Sequence, residues 1–175
     1  MSNIWNPKGF ITGNVVDARD NIFVFRFKEK KDKLRVIDGQ PWHFDKFIWC
    51  FNEPIADGKL VEIPLYNLLL WAEIYDLPLM GRNNEGNIRK PGTQLCQFVC
   101  ADQTLLPELE RGIRIRVMRE VRKLLKNSIC SRMRDGRIIE FDVKYERLPT
   151  FCYGCGVLGH GEKNYEDGPF ANEDL

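Results

Sequence analysis

The stretch that most constrains this chain lies near its end, where two cysteines, a histidine and three glycines fall within nine residues. Cys152 and Cys155 are three positions apart, and His160 follows five positions later, with Gly156 and Gly159 between them. Zinc takes four ligands at the corners of a tetrahedron, and short spacings let one tight loop supply several of them. Glycine adopts positive φ without a steric penalty, so such a loop can wrap closely round an ion. The spacing therefore predicts Cys152, Cys155 and His160 as metal ligands.

The fourth ligand of this pattern is missing. The spacing is that of a zinc knuckle, Cys-x2-Cys-x4-His-x4-Cys, a small nucleic-acid-binding module, but its last position is Tyr165. Glu162, Glu166, Asp167 or a water would have to complete the shell of the ion. A redox cysteine pair is the alternative, but it needs the start of a helix, and a Gly-rich acidic segment follows here. We therefore expect zinc as the cofactor, held more weakly than in an intact knuckle.

The composition is that of a soluble globular protein. Of the 175 residues 43% are hydrophobic and 29% charged, which suits one domain or one and a half. The first residues show no apolar run behind a basic cluster, and the longest apolar run, residues 68–72, is too short to span a membrane. Six cysteines without a signal sequence indicate an intracellular, reducing compartment, nucleus or cytoplasm. Cys50, Cys96, Cys100 and Cys130 lie in apolar stretches and are predicted to be buried thiols.

Basic residues are concentrated in one segment. Residues 111–137 hold ten basic side chains against two acidic ones, so this segment carries +8 in a chain whose net charge is +1. Within it, Ile113 and Ile115 alternate with Arg114 and Arg116, which predicts a half-buried strand over residues 112–121 with a basic exposed face. Such a face would neutralise phosphates. The alternative, a merely solvated charged face, is weaker for an excess made mostly of arginine.

These observations predict a nucleic-acid surface that runs into the metal-binding loop. Within the loop, the apolar side chains of Tyr153 and Leu158 are best placed to touch an unstacked base. The predicted partner is RNA or single-stranded DNA. The residues predicted to contact it are Arg114, Arg116, Arg119, Arg132, Arg134, Arg137, Tyr153 and Leu158.

The first third of the chain has the pattern of a partial RNA-recognition-motif or ferredoxin-like fold. It predicts strands at residues 13–18, 22–28 and 47–51 and a helix at residues 29–38 that ends at Gly39. Phe23, Phe25 and Phe27 share one strand face, where they could stack on bases or pack in the core. The core is favoured, because the basic glycine-rich start of the recognition motif is absent.

The rest of the chain reads as a second, β-rich half. The turn signal Asp135-Gly136 predicts a hairpin whose inner face carries Ile139, Phe141, Val143 and Tyr145. Further predicted segments are a linker at residues 54–58, strands at 69–77 and 95–100, a polar loop at 81–92 and a disordered tail from 161. The predicted fold class is α+β. The predicted divisions are a partial domain at 1–53, a basic β-rich domain at 59–149, a degenerate zinc knuckle at 150–167 and a disordered tail at 168–175.

Nearly the whole chain resembles the plant LINE-type retrotransposon gag-like proteins, in which a domain of unknown function precedes a zinc knuckle. The resemblance is carried by residues 21–27, 39–45, 71–79, 113–117, 141–149 and 151–160. Its most specific part is the junction from Tyr145 through Pro149 into the loop. The resemblance implies zinc and nucleic-acid binding, with a domain similar to an RNA-recognition motif before the knuckle.

Three departures from this family pattern suggest a truncated or decayed copy. The chain starts inside the family domain, so a strand and a helix are expected to be missing. The stretch after Leu79, where the family has a helix, reads as a polar loop. The last zinc ligand is Tyr165. An unpaired strand edge in such a truncated domain would favour self-association.

Three functions are compared on this basis. A nucleic-acid-binding module is favoured by the arginines and the knuckle. A non-enzymatic interaction fragment without nucleic-acid affinity is the alternative, favoured by the lost ligand and the lost strand. An enzyme is disfavoured, because the histidines are only His43 and His160 and the chain has no Gly-rich phosphate loop.

Overall fold

The computed structural model describes residues 5, 11–17, 21–44, 47–53, 63–78, 85–102, 112–133 and 135–161. The chain divides into two compact units, residues 1–40 and 41–175. Within the described ranges it contains nine strands and two helices of more than one turn, so the α+β class is confirmed. Neither of these helices is long and apolar enough to cross a membrane. The predicted linker at 54–58 and the tail beyond residue 161 lie outside the described residues, and the predicted domain limits stay predictions.

The first unit contains a β-hairpin followed by a helix, as the sequence predicted. Strand β1 (Ile11–Asp17) pairs antiparallel with β2 (Ile22–Phe27). Helix α1 (Lys30–Asp38) ends at Gly39, whose N–H donates a 2.9 Å hydrogen bond to the carbonyl oxygen of Arg35. This hydrogen bond closes the last turn of the helix.

The phenylalanines of β2 contact a buried tryptophan. The ring of Trp5 meets that of Phe25 edge-on at 5.0 Å between centroids, and that of Phe27 at 6.3 Å. Both phenylalanines are partly buried, whereas Phe23 is exposed. The core interpretation therefore holds for Phe25 and Phe27 but not for Phe23.

The third predicted strand of this region does not join the first two. Strand β4 (Phe47–Trp49) pairs with β3 (Trp42–Phe44) in a separate two-stranded sheet. Because only two residues separate β3 from β4, the local hairpin forms. Both strands follow Gln40, the last residue of the first unit, and belong to the second unit. The expected arrangement of three strands and a helix in one recognition-motif-like half is therefore wrong for β4.

The second unit is built round a five-stranded antiparallel sheet of order β6-β7-β5-β9-β8. Its strands are β5 (Asn67–Ile74), β6 (Gln97–Ala101), β7 (Ile113–Glu120), β8 (Ser128–Arg132) and β9 (Ile138–Tyr145). Alternate side chains of β5 are buried, and β7 and β9 add theirs to the same hydrophobic core. Strand β5 begins and ends earlier than the predicted 69–77.

A second helix lies where the sequence predicted a polar loop. Helix α2 (Glu85–Leu95) buries Ile88, Pro91, Gly92 and Leu95, which are spaced as i, i+3, i+4 and i+7 on one helical face. The loop was predicted because the segment is polar and shows no clear periodicity, whereas its few apolar residues are enough to bury one helical face. A Cβ on Gly92 would lie 2.7 Å from the Phe98 ring, so glycine lets the helix approach the sheet.

The predicted hairpin round Asp135-Gly136 is confirmed. The N–H of Met133 donates to the carbonyl oxygen of Arg137 at 2.8 Å and closes the connection between β8 and β9. On the inner face Phe141 and Val143 are buried. Ile139 and Tyr145 are partly buried against the same core.

The prediction of four buried thiols is wrong. Cys50 and Cys96 are only partly buried, and Cys100 and Cys130 are exposed. The exposed pair lies on β6 and β8, the two outer strands of the sheet, where one face of each strand meets solvent. Burial raises the pKa of the Cys50 thiol to about 11.

Candidate metal centre and nucleic-acid interface

Residues 151–160 form a tight loop closed by backbone hydrogen bonds. Phe151 and Leu158 face each other in an isolated antiparallel bridge. The N–H of Cys152 donates to the carbonyl oxygen of Val157 at 3.0 Å, and the N–H of Gly156 donates to the carbonyl oxygen of Cys152 at 2.8 Å. These bonds fix the segment between the two cysteines independently of any ion.

Gly156 and Gly159 of the loop have the conformation that the spacing predicted. Gly156 has φ of 71° and Gly159 has φ of 101°, both in the region that disfavours other residues. The N–H of Gly159 donates to the carbonyl oxygen of Thr150 at 2.7 Å, which turns the chain back toward its start. The glycines therefore bring His160 round to the cysteines.

The three predicted ligands converge. The ligand atoms of Cys152, Cys155 and His160 all lie within 4.8 Å of one another. The Sγ of Cys155 lies 3.1 Å from the Nε2 of His160. Zinc bonds of about 2.3 Å to sulfur and 2.0 Å to nitrogen place neighbouring tetrahedral ligands roughly 3.5 Å apart. Two thiols and an imidazole at this separation fit three corners of a zinc site, whereas Tyr165 and the acidic candidates for the fourth corner lie outside the described residues.

The two cysteine thiols lie close enough to affect each other's protonation. Desolvation raises the pKa of the Cys155 thiol, and the neighbouring Cys152 thiol raises it further. A metal ligand must be a thiolate, so a metal that binds here would displace the thiol protons, and its positive charge would offset the repulsion between the two thiolates.

The loop is part of the second unit's core. Val157 is fully buried, and Leu158 is 4% exposed and belongs to the same hydrophobic cluster as the sheet. The N–H of Leu125 donates to the carbonyl oxygen of Gly156 at 2.8 Å. The expectation that Leu158 touches bases is therefore wrong, because its side chain anchors the loop to the sheet.

Tyr153 has the opposite environment. Its side chain, between the two cysteines, is 81% exposed, and its ring meets that of Phe151 edge-on at 5.1 Å between centroids. An exposed ring supported from one side can accept a flat base on another. Its contact with nucleic acid stays a prediction.

Arg114 is engaged inside the protein. Its guanidinium donates to Oδ2 of Asp102 at 2.7 Å and to Oε2 of Glu146 at 2.8 Å, and lies 3.8 Å from the ring centroid of Trp71. The hydrogen bonds that Arg114 donates to Glu146 raise the pKa of Arg114 and lower the pKa of Glu146. This network joins three strands at the point where the chain leaves the sheet for the loop.

Arg116 and Arg119 are both 4% exposed, so the predicted exposed basic face of β7 is wrong. The guanidinium of Arg116 lies 4.9 Å from the Trp71 ring centroid. That of Arg119 donates to the carbonyl oxygens of Leu95 at 3.1 Å and Lys123 at 3.0 Å. Every residue of β7 is buried or partly buried, and the strand lies between β6 and β5, so alternation did not separate core from solvent.

The remaining predicted arginines belong to the β8–β9 hairpin. Arg132 is exposed at the end of β8. Arg137 is also exposed and forms a 2.6 Å ion pair with Asp135. Arg134 lies outside the described residues. Of the predicted phosphate contacts within the described ranges, these two retain an exposed side chain.

Three residues beside the loop were not singled out from the sequence. Lys123, Leu124 and Lys126 are exposed on the connection between β7 and β8, which hydrogen-bonds to the loop through Leu125. The available signal was the run Arg-Lys-Leu-Leu-Lys at residues 122–126, in which cations flank two leucines. Its apolar residues gave no sign of which one faces solvent.

A zinc-knuckle family model matches residues 114–167. The match begins in β7 and runs through the β8–β9 hairpin into the loop, so it covers the sheet strands as well as the metal ligands. No curated protein and no solved structure matches the chain. The chain therefore carries a zinc-knuckle domain in which strands and loop form one packed body.

Proposed function

We propose that this chain is a non-enzymatic protein that binds single-stranded nucleic acid, RNA in particular, through its zinc-knuckle domain. The observation that carries the proposal is the convergence of Cys152, Cys155 and His160 within 4.8 Å, with Tyr153 exposed between the two cysteines. Zinc-knuckle domains commonly bind nucleic acids, and a family model for them matches residues 114–167.

In this proposal the loop presents an aromatic ring at a fixed position. Zinc held by the two thiolates and the imidazole would tie both ends of the loop together and stiffen it. Tyr153 then stacks on an unpaired base, a contact worth about 1–3 kcal/mol per base. Such stacking tolerates any base, so we expect weak sequence preference.

Exposed arginines supply contacts to phosphate. Arg132 and Arg137 extend from the β8–β9 hairpin. Arg137 is paired with Asp135, but an exposed ion pair contributes little because solvent screens it, so phosphate can compete for Arg137. Phosphate contacts release counterions, and binding therefore weakens as salt rises.

We also propose a retrotransposon gag-like origin and an intracellular location. The origin is supported by the resemblance of residues 141–149 and of the loop that follows to the LINE-type gag-like proteins. The location is supported by six free cysteines, which suit a reducing compartment.

A protein-interaction role without nucleic-acid affinity is the second candidate. It is favoured by the burial of Arg116 and Arg119, which removes them as phosphate contacts. The exposed apolar side chains of Phe47 and Ile138 would suit a protein partner, or a second copy of this chain, instead.

The test is the anisotropy of a labelled single-stranded RNA titrated with the chain at two salt concentrations. We expect binding that weakens with salt and a roughly tenfold weaker affinity for Tyr153→Ala, since one stacked base is lost. Phe47→Ala is the matched control, because Phe47 is 69% exposed on another hairpin and should leave the affinity unchanged. If the folded wild-type chain fails to bind RNA at low salt, the nucleic-acid proposal is wrong and the protein-interaction role remains.

A further inference from the structure

The connection between β7 and β8, residues 121–127, lies directly against the zinc-knuckle loop; we call it the basic turn. The N–H of Leu125 donates to the carbonyl oxygen of Gly156 at 2.8 Å. The Cδ2 atom of Leu124 lies 3.0 Å from the place where a Cβ on Gly156 would be. Backbone and side chain of the basic turn therefore both contact the loop at Gly156.

The basic turn is held in place from its other side. The carbonyl oxygen of Lys123 accepts a 3.0 Å hydrogen bond from the buried guanidinium of Arg119. The carbonyl oxygen of Lys126 accepts a 2.8 Å hydrogen bond from the hydroxyl of Tyr145. Arg119, predicted as a phosphate contact, instead positions the segment that carries the exposed cations.

The side chains of the basic turn combine positive charge with an exposed apolar surface. Lys123 is 71% exposed at its side chain, and Leu124 is 64% exposed. Arg122 and Lys126 are exposed as well. Glu120 forms ion pairs with Arg122 at 2.6 Å and Lys123 at 3.0 Å, which leaves a net positive charge on this group of side chains. Exposed pairs of this kind are weak enough for a phosphate to replace the carboxylate.

Two apolar side chains of the loop are not available to a ligand. Val157 and Leu158 are buried in the core of the second unit. Leu124 places an exposed apolar side chain against Gly156, where the loop has none. A base that contacts the loop at Gly156 would meet Leu124. Lys123 precedes Leu124 in the chain and Lys126 follows it, so the base would also lie near ammonium groups.

We propose that the basic turn is the second half of the nucleic-acid interface, in which Leu124 packs against a base and Lys123 contacts the neighbouring phosphate of a single strand. This inference rests on the proposed function. It extends the interface to a segment outside the Cys-x2-Cys-x4-His motif. The buried Arg119 then acts as a positioning residue that holds this segment in place.

The test compares Lys123→Gln and Leu124→Ala with wild type by anisotropy of a labelled single-stranded RNA over a salt series. We expect Leu124→Ala to weaken binding roughly fivefold at each salt concentration. We expect Lys123→Gln to lower the slope of log affinity against log salt by about 0.7, the value for one phosphate contact on a single strand. Lys123→Arg should retain the wild-type slope.

Lys90→Gln is the control, because Lys90 is an exposed cation on α2. If Lys123→Gln and Leu124→Ala both bind RNA with the affinity and the salt slope of the wild type, the inference is overturned. In that case a loss of RNA affinity in Tyr153→Ala would still support the proposed function. Absence of binding by the folded wild type would overturn both. Near-ultraviolet circular dichroism confirms that each variant keeps its fold, which we expect because both side chains are exposed.

Discussion

At the scale of single residues, the position of Glu146 links the sheet to the metal-binding loop. It lies directly after β9 and accepts hydrogen bonds from Arg114, which also reaches Asp102 beyond β6. A bidentate pair between a guanidinium and a carboxylate is directional as well as strong. Glu146 therefore fixes where the chain leaves the sheet, before Pro149 and the loop.

We expect Glu146→Gln to destabilise the fold by about 2 kcal/mol at neutral pH, the scale of a lost charged hydrogen bond. The bond from Arg114 lowers the pKa of Glu146 below its ordinary value of 4.5. The stabilisation is therefore present above the unfolded-state pKa and is lost as the pH falls through the folded-state pKa. Urea unfolding of wild type and variant should converge in acid.

Glu140→Gln is the control for this prediction, because Glu140 is an exposed carboxylate on the same strand. It should change the free energy of unfolding by no more than about 0.5 kcal/mol. An equal effect of the two substitutions at neutral pH would contradict a structural role for the Arg114–Glu146 pair.

Single residues also show where the sequence could not separate surface from core. The alternation in β7 correctly predicted that Ile113, Ile115 and Val117 are buried. It could not show that Trp71 on the neighbouring strand stacks against Arg114 and Arg116, because that contact depends on strand order.

At the scale of elements, the sequence predicted correctly those structures that depend only on residues adjacent in the chain. The Asp135-Gly136 turn and the helix that ends at Gly39 depend on adjacent residues, and both are found. The metal-binding loop belongs to the same class, since its ligand spacing and its glycines lie within one short segment. Helix α2 was missed because its segment is polar and shows no clear periodicity, whereas burial against the sheet stabilises it.

Gly92 gives a test of that explanation. In an exposed helix Gly→Ala stabilises by about 1 kcal/mol, but here the added Cβ would lie 2.7 Å from Phe98 and 3.2 Å from Ile115. We expect Gly92→Ala to lower the free energy of unfolding by about 1–3 kcal/mol through overpacking. Gly86→Ala, at an exposed position of the same helix, should be neutral or stabilising. Chemical denaturation of both variants checks the contrast, and stabilisation by Gly92→Ala would contradict the close packing of α2.

At the scale of the whole molecule, the zinc knuckle is a continuation of the sheet and not a separate appendage. Leu158 and Phe151 pack against the hydrophobic cluster that β5, β7 and β9 form. The basic turn hydrogen-bonds to the loop from the other side. A metal bound by the loop would therefore stabilise the surface that we propose contacts nucleic acid.

The sequence did not predict this integration. It treated residues 150–167 as a distinct module, because the ligand spacing alone describes a small autonomous fold. The buried side chain of Leu158 joins the loop to the sheet through contacts that are distant in the sequence.

The most direct test of the account is to measure metal content and RNA affinity in the same sample, before and after treatment with a zinc chelator. We expect one zinc per chain, held by Cys152, Cys155 and His160, and an affinity for single-stranded RNA that falls at least tenfold on chelation and returns with added zinc. Salt-sensitive RNA binding that is unchanged by the chelator, in a chain without zinc, would contradict a metal-dependent interface and leave the binding to the exposed cations alone.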